Sequence, residues 1–221
     1  QDAVAKLIII AVKLSGNNNV VLSGWYAFNC VANYHYLEEL KDEGINLYVE
    51  PVSNDAGTAI GAAMLQYFAG TQSTEPTFDK SVYLGPEYNY SIDDVESIVE
   101  KAGGQLKDAT DEDVVELMTS KNIVALFQGR SENGPRALGN RTLLFDPTFE
   151  DGKDFVNLIK KREYFRPFAG SILQEDVHEW FDLRGMEDSP HMMYAVTCKP
   201  GVEEKIPAIM PVVGPCRLQT V

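Results

Sequence analysis

NVVLSG at residues 19–24 and INLYVEPVSNDAGTAIGAAMLQYF at residues 45–68 decide the fold. Asn19–Leu22 is short and apolar enough for a buried strand, and Ser23-Gly24 turns it into a helix predicted over about 26–41. Gly44 closes that helix, residues 45–49 repeat the strand, and residues 51–55 form a loop. A second helix follows over 57–68, with Gly57, Ala59, Gly61, Ala62 and Ala63 as small residues. An apolar-periodic helix over 2–13, ended by Ser-Gly-Asn-Asn-Asn, comes before the first strand. This alternation predicts an α/β layer with at least partly parallel strands.

Beyond it the rhythm changes. Residues 69–80 are polar and read as a connection, which places a domain boundary within 70–90 and divides the chain into 1–80 and 81–221. Ser91 and Thr110 are good N-caps with acidic first turns, so two helices are expected, the first ending near Ala102. Strands are expected at 122–127, 143–145, 168–173 and 192–197, and a helix at 151–161. The Arg-, Gly- and Asn-rich stretch 128–141 has too little apolar content for core. The tail from Pro207 reads as irregular.

With 221 residues, 44% hydrophobic and 24% charged, the chain is neither disordered nor fibrous, and it can bury a sizeable core. Its net charge of −14 repels nucleic acid and anionic membrane surfaces at long range, so neither is expected as a partner. No apolar run approaches the ~18 residues of a membrane span, and residues 7–12 open no signal peptide. Cys30, Cys198 and Cys216 lie far apart without a CxxC, pointing to buried thiols in a reducing, cytoplasmic setting. Charge is uneven: residues 1–120 and 167–221 are acidic, while 121–166 carry nine Lys and Arg against six acids. A positive island in an acidic chain suits a small polyanion, although fluctuations of this size also arise by chance.

Three places can carry chemistry. Gly24 sits at a strand-to-helix turn with Asn29 and Asn33 one turn apart, an arrangement suited to phosphate or ribose and equally to a solvated helix face. Asp55 stands at a strand top, where it can bind a phosphate-bridging metal or simply cap the following helix. The string Gly129-Arg-Ser-Glu-Asn-Gly-Pro-Arg-Ala-Leu-Gly-Asn-Arg141 sets three arginines in a loop controlled by glycine and proline. Arginine forks bind phosphate bidentately. A second basic cluster, Lys160-Lys161-Arg162 with Arg166, ends a helix, where the dipole alone would favour cations.

FQGRSENGPRALGNR (127–141), IKKREYFRPFA (159–169) and PVSNDAGTAIGAA (51–63) resemble the O-carbamoyltransferase family of nodulation-factor and antibiotic-tailoring enzymes. LSG at 22–24 with its following asparagines, LGPEY (84–88) and the final RLQTV (217–221) extend the likeness through nearly the whole chain. The resemblance implies a C-terminal portion: residues 1–80 as the last lobe of an actin/sugar-kinase-like (ASKHA) domain, and 81–221 as a YrdC-like α/β domain. It implies that carbamoyl phosphate and ATP form carbamoyl-adenylate, whose carbamoyl group passes to a substrate hydroxyl. Arg130, Arg136, Lys160 and Arg162 would then be catalytic, and together with Ser131, Arg141, Arg166, Gly24 and Asn29 would bind ATP and carbamoyl phosphate. Asp55 would ligate a divalent metal, iron or another ion, beside the magnesium that accompanies ATP. The family's histidine ligands are absent here.

Departures from the family pattern occur at Trp25, where a second glycine is usual and bulk can close the approach to nucleotide, and at Gly170 for a proline. Pro211, Val213 and Pro215 replace a usual His, Asp and Thr. They favour the alternative reading, a non-catalytic nucleotide-binding scaffold of the same fold. A tRNA threonylcarbamoyl-adenylate synthase is a third reading, opposed by the acidic balance. The acceptor alcohol and the oligomeric state, a homodimer among the options, are not legible in the letters.

Overall fold

A computed structural model describes residues 1–73, 81–211 and 214–221. The chain is α/β. Its first part holds α1 (Asp2–Ser15), β1 (Asn19–Leu22), α2 (Cys30–Glu39), β2 (Asn46–Val49) and α3 (Ala56–Thr71). β1 and β2 pair in parallel, from Asn19 opposite Asn46 to Leu22 opposite Val49, as the alternation predicts. Ala5 and Ile8 of α1 pack against Ala32, Tyr36 and Leu40 of the α2 region, with Val20 and Leu47 at the margin, so one face of both strands lies under helices. Val21 and Tyr48 on the other face are exposed, which corrects the buried strand expected at 19–22.

The helix expected over 26–41 is divided. Residues Trp25–Phe28 form a short 3-10 helix, and α2 starts at Cys30, because the Asn29 side chain accepts from the Ala32 N–H and sets a new N-terminus. Gly24 enters the turn at φ +84°, a conformation that L side chains rarely adopt.

After residue 81 come α4 (Ile92–Lys101) and α5 (Asp111–Thr119). Each is opened by a capping box, Ser91 with Asp94 and Thr110 with Asp113, at the caps expected. β3 (Val124–Phe127) and β4 (Arg141–Leu144) pair antiparallel around the Arg-rich loop. Then follow α6 (Gly152–Ile159), β5 (Ala169–Ile172), α7 (Val177–Trp180), β6 (Phe181–Asp182), β7 (Ala195–Cys198) and β8 (Cys216–Thr220).

The last strand corrects the expectation of an irregular tail. β8 is an interior strand of the four-stranded order β5-β8-β7-β6, parallel to β5 and antiparallel to β7. Pro207, Pro211, Gly214 and Pro215 hid it, since those residues read as loop while the strand begins just after them. Its burial is two-sided, so no alternation marks it.

The largest core joins Tyr34 of α2 with Val177, Phe181, Leu183, Val196 and Leu218, so the two parts of the chain share packing. The Tyr34 hydroxyl donates to the Asp182 carbonyl at 2.8 Å, and Arg184 Nη1 donates to the Tyr34 carbonyl at 2.8 Å. The buried Asn33 amide donates to the Ala27 and Met193 carbonyls at 2.7 and 2.8 Å. Most of the connection expected at 69–80, with the boundary at 80/81, and Val213 lie outside the described residues. Among the described residues, no helix is long and apolar enough to cross a membrane.

Candidate functional site

The loop between β3 and β4 is held by one carboxylate and one guanidinium. Glu132 Oε1 accepts the backbone N–H groups of Leu138, Asn140 and Arg141 at 2.7, 2.9 and 3.3 Å. Burial works to raise its pKa, and the backbone donors, its own N–H among them, outweigh burial and hold the carboxyl below the usual range. Arg141 Nη1 donates to the Gln128 and Asn140 carbonyls at 2.6 and 2.8 Å, and Nη2 to the Gly129 carbonyl at 3.2 Å. Its guanidinium lies 3.8 Å over the Phe127 ring. Arg141 therefore spends its donors on the loop's own backbone.

Residues of the LGPEY string run beside this loop. Gly85 N–H donates to the Ser131 carbonyl at 2.9 Å and Asn133 N–H to the Val82 carbonyl at 2.6 Å. A Cβ on Gly85 would stand 1.9 Å from Ser131 Oγ, so only glycine permits this approach. Arg130 is exposed and its side chain makes one long hydrogen bond, from Nη2 to the Leu84 carbonyl at 3.4 Å.

Arg136, in the middle of the loop, turns inward. Its Nη2 donates to Cys30 Sγ at 3.5 Å, its guanidinium stands 5.6 Å from the Phe28 ring centre, and its Nε is buried without a partner. Close by is Arg217 of β8. Burial depresses the Arg217 pKa first, and the neighbouring charges of Arg136 and Arg162 depress it further, with Cys30 acting in the opposite direction. Arg162 donates from Nε to Asn157 Oδ1, lies 4.3 Å over the Phe168 ring, and has its own pKa lowered by burial and then by Arg166. Among the described residues, no carboxylate oxygen comes within 4.0 Å of Arg136, Arg162 or Arg217. In a chain with 33 Asp and Glu residues, these three arginines form no direct ion pair among the described residues, although Glu163 offsets part of the charge at Arg162. A bound anion would offset the repulsion within such a group.

Comparison with known proteins gives the chain a family. The family model described as carbamoyltransferase N-terminus matches residues 2–64, and the one described as carbamoyltransferase C-terminus matches residues 115–221. The chain belongs to the carbamoyltransferase family. Nodulation protein NolNO of Sinorhizobium fredii is 34% identical over 233 residues, covering 100% of this chain and 34% of that protein. Nodulation protein NolO of Bradyrhizobium diazoefficiens is also 34% identical, over 100% of this chain and 42% of its own length. Nodulation protein U of Sinorhizobium fredii is 33% identical over 94% of this chain and 35% of its own length. The chain thus spans between about a third and two-fifths of the length of these relatives.

Set within the carbamoyltransferase family, the remaining expected residues divide. Gly24 and Asp55 both lie at the C-terminal ends of the parallel strands, where α/β sheets place ligands. The Asp55 side chain does not cap α3; its Oδ1 accepts the Trp25 indole N–H at 3.1 Å. Asn29 uses its side-chain oxygen on α2. Lys160 is exposed after α6 and its side chain makes no hydrogen bond or ion pair among the described residues, whereas Arg166 pairs with Glu163 at 2.8 Å. Two cavities, about 580 and 470 Å³, lie elsewhere between apolar walls, and no arginine lines either. Apolar volume does not select small phosphates; donors do.

Sequence reasoning missed Arg217 and Glu132. Arg217 was in view only as the first letter of RLQTV, inside a tail read as irregular. Glu132 carries no signal in the letters, because its partners are backbone N–H groups.

Proposed function

We propose that this chain is part of an O-carbamoyltransferase and that Arg136, Arg162 and Arg217 hold the phosphates of carbamoyl phosphate and ATP while carbamoyl-adenylate forms. The observation that carries the reading is Arg136 turned inward with a buried, unpartnered Nε, while it, Arg162 and Arg217 form no ion pair among the described residues. Such chemistry needs fixed positive charge around phosphoryl oxygens more than it needs a protein nucleophile, and the cysteines lie outside the expected chemistry-bearing strings. Arg130, Ser131, Lys160 and Arg166 would add further contacts to the phosphates, and Arg141 keeps the loop in shape. Transfer to a substrate hydroxyl belongs to the actin/sugar-kinase-like lobe assigned to residues 1–80, with the YrdC-like domain at 81–221; the parallel β1–β2 pair and the mixed four-stranded sheet support that division. Gly24 and Asn29 would face nucleotide there. Among the described residues no three His, Cys, Asp or Glu side chains gather into a metal site, so Asp55 could give a divalent ion, iron or magnesium, only one ligand of several.

Mixing the chain with carbamoyl phosphate and ATP and following pyrophosphate release tests this. Release is expected, and Arg136→Ala or Arg217→Ala should slow it about 100-fold or more. The Trp25–Asp55 hydrogen bond, which occupies the expected ligand oxygen, favours the second reading, a nucleotide-binding scaffold. ATP binding without pyrophosphate would establish that reading instead.

A further inference from the structure

The Arg136 guanidinium is held from the other part of the chain, by groups that orient it and leave its charge intact. Cys30, 6% exposed, presents a sulfur to Arg136 Nη2 at 3.5 Å, while that sulfur also lies 3.4 Å from the Phe28 and Met192 carbonyls. The thiol can thus donate to a carbonyl and accept from the guanidinium in the same arrangement. Phe28 supplies a ring 5.6 Å from the same guanidinium. A carboxylate in either place would bind Arg136 more tightly and cancel the charge an anion needs. A thiol and a phenyl ring avoid that cancellation.

The same short 3-10 helix is anchored at its other end. Trp25 meets Phe28 edge-on, ring centres 5.8 Å apart and planes at 71°, and its indole N–H donates to Asp55 Oδ1 at 3.1 Å. An unbroken line of contacts, Asp55–Trp25–Phe28–Arg136, therefore runs from the mouth of the parallel strands to the guanidinium group.

We propose that Phe28 and Cys30 are positioning residues for Arg136, fixing its guanidinium for anion binding from the far side of the chain. This rests on the reading of Arg136 as an anion-binding group. Neither residue need touch the ligand; each acts through Arg136. The buried Nε without a partner leaves Arg136 donor capacity beyond its contact with Cys30.

The test uses the full 221-residue chain, pyrophosphate as probe, and titration calorimetry, with the variants made in both the Arg136 and the Arg136→Ala background. Phe28→Leu and Cys30→Ala should each weaken pyrophosphate binding about three- to tenfold when Arg136 is present. Both should have no effect when Arg136 is already alanine, since the path then ends at a missing group. Cys30→Ser keeps a donor and an acceptor and should stay within about twofold of the parent chain. Equal losses in both backgrounds, or no loss in either, overturn the proposal. Should Phe28→Leu fail to fold, the Cys30→Ala and Cys30→Ser pair decides the question alone. A parent chain that binds no pyrophosphate would bring down the anion-site reading itself, an outcome distinct from the others because every variant would then be silent.

Discussion

Glu132 stands two residues from Arg130 and four from Arg136, yet it pairs with neither and spends its charge on three backbone N–H groups. A carboxylate in that role is a clamp on the loop's shape. Replacing it by glutamine keeps the size and removes the charge, so Glu132→Gln should cost about 1–3 kcal/mol near neutral pH. The pH dependence has a definite sign. The folded-state pKa is depressed, so the stabilisation is fully present above the unfolded value of about 4.3 and is lost as pH falls through the lower folded value. Urea unfolding of both chains should therefore show a gap at pH 7 that narrows progressively below about pH 4. A gap independent of pH would exclude the clamp. Arg141 teaches the companion lesson at this scale. Its letter advertised a cation, and nothing in the neighbouring letters disclosed that its acceptors would be carbonyls of the same loop.

Among the elements, those with local signals were legible. Ser91 and Thr110 marked two helix starts through side-chain-to-backbone bonds that span three residues, so the letters contained the whole interaction. β1 and β2 were legible for the same reason: each is a brief apolar run between turns. β8 was not, because its place depends on β5 and β7, which lie far away in sequence. Its worth can be measured. Leu218 is 1% exposed within the largest core, so Leu218→Ala should destabilise the fold by about 2–5 kcal/mol in chemical denaturation. A cost under about 1 kcal/mol would mean that the sheet tolerates the loss of its interior strand's packing. The arginine group was half legible. Arg136 and Arg162 came from basic strings, while Arg217 needed the strand that carries it.

Across the whole molecule two electrostatic effects oppose each other. The net charge of −14 repels itself and weakens the compact state, and salt relieves that repulsion. The guanidinium group attracts anions, and salt screens the attraction. Raising the concentration of potassium chloride should therefore lift the melting temperature, by about 2–4 °C for each kcal/mol of relieved repulsion, while weakening pyrophosphate binding. Scanning fluorimetry and calorimetry on one sample series would read both. Parallel changes of the two quantities would contradict this separation of charge.

Family models divide the chain into an N-terminal and a C-terminal match, which invites treating the two stretches as exchangeable cassettes. The ring of Tyr34, clasped between the Asp182 carbonyl and the Arg184 guanidinium 3.9 Å above it, argues otherwise. A recombinant that joined this N-terminal stretch to a relative's C-terminal stretch would lose that clasp wherever the relative has no arginine at the position of Arg184. Shuffled chains should therefore be less stable when Tyr34 faces a residue other than arginine at 184, and regain stability when that arginine is restored.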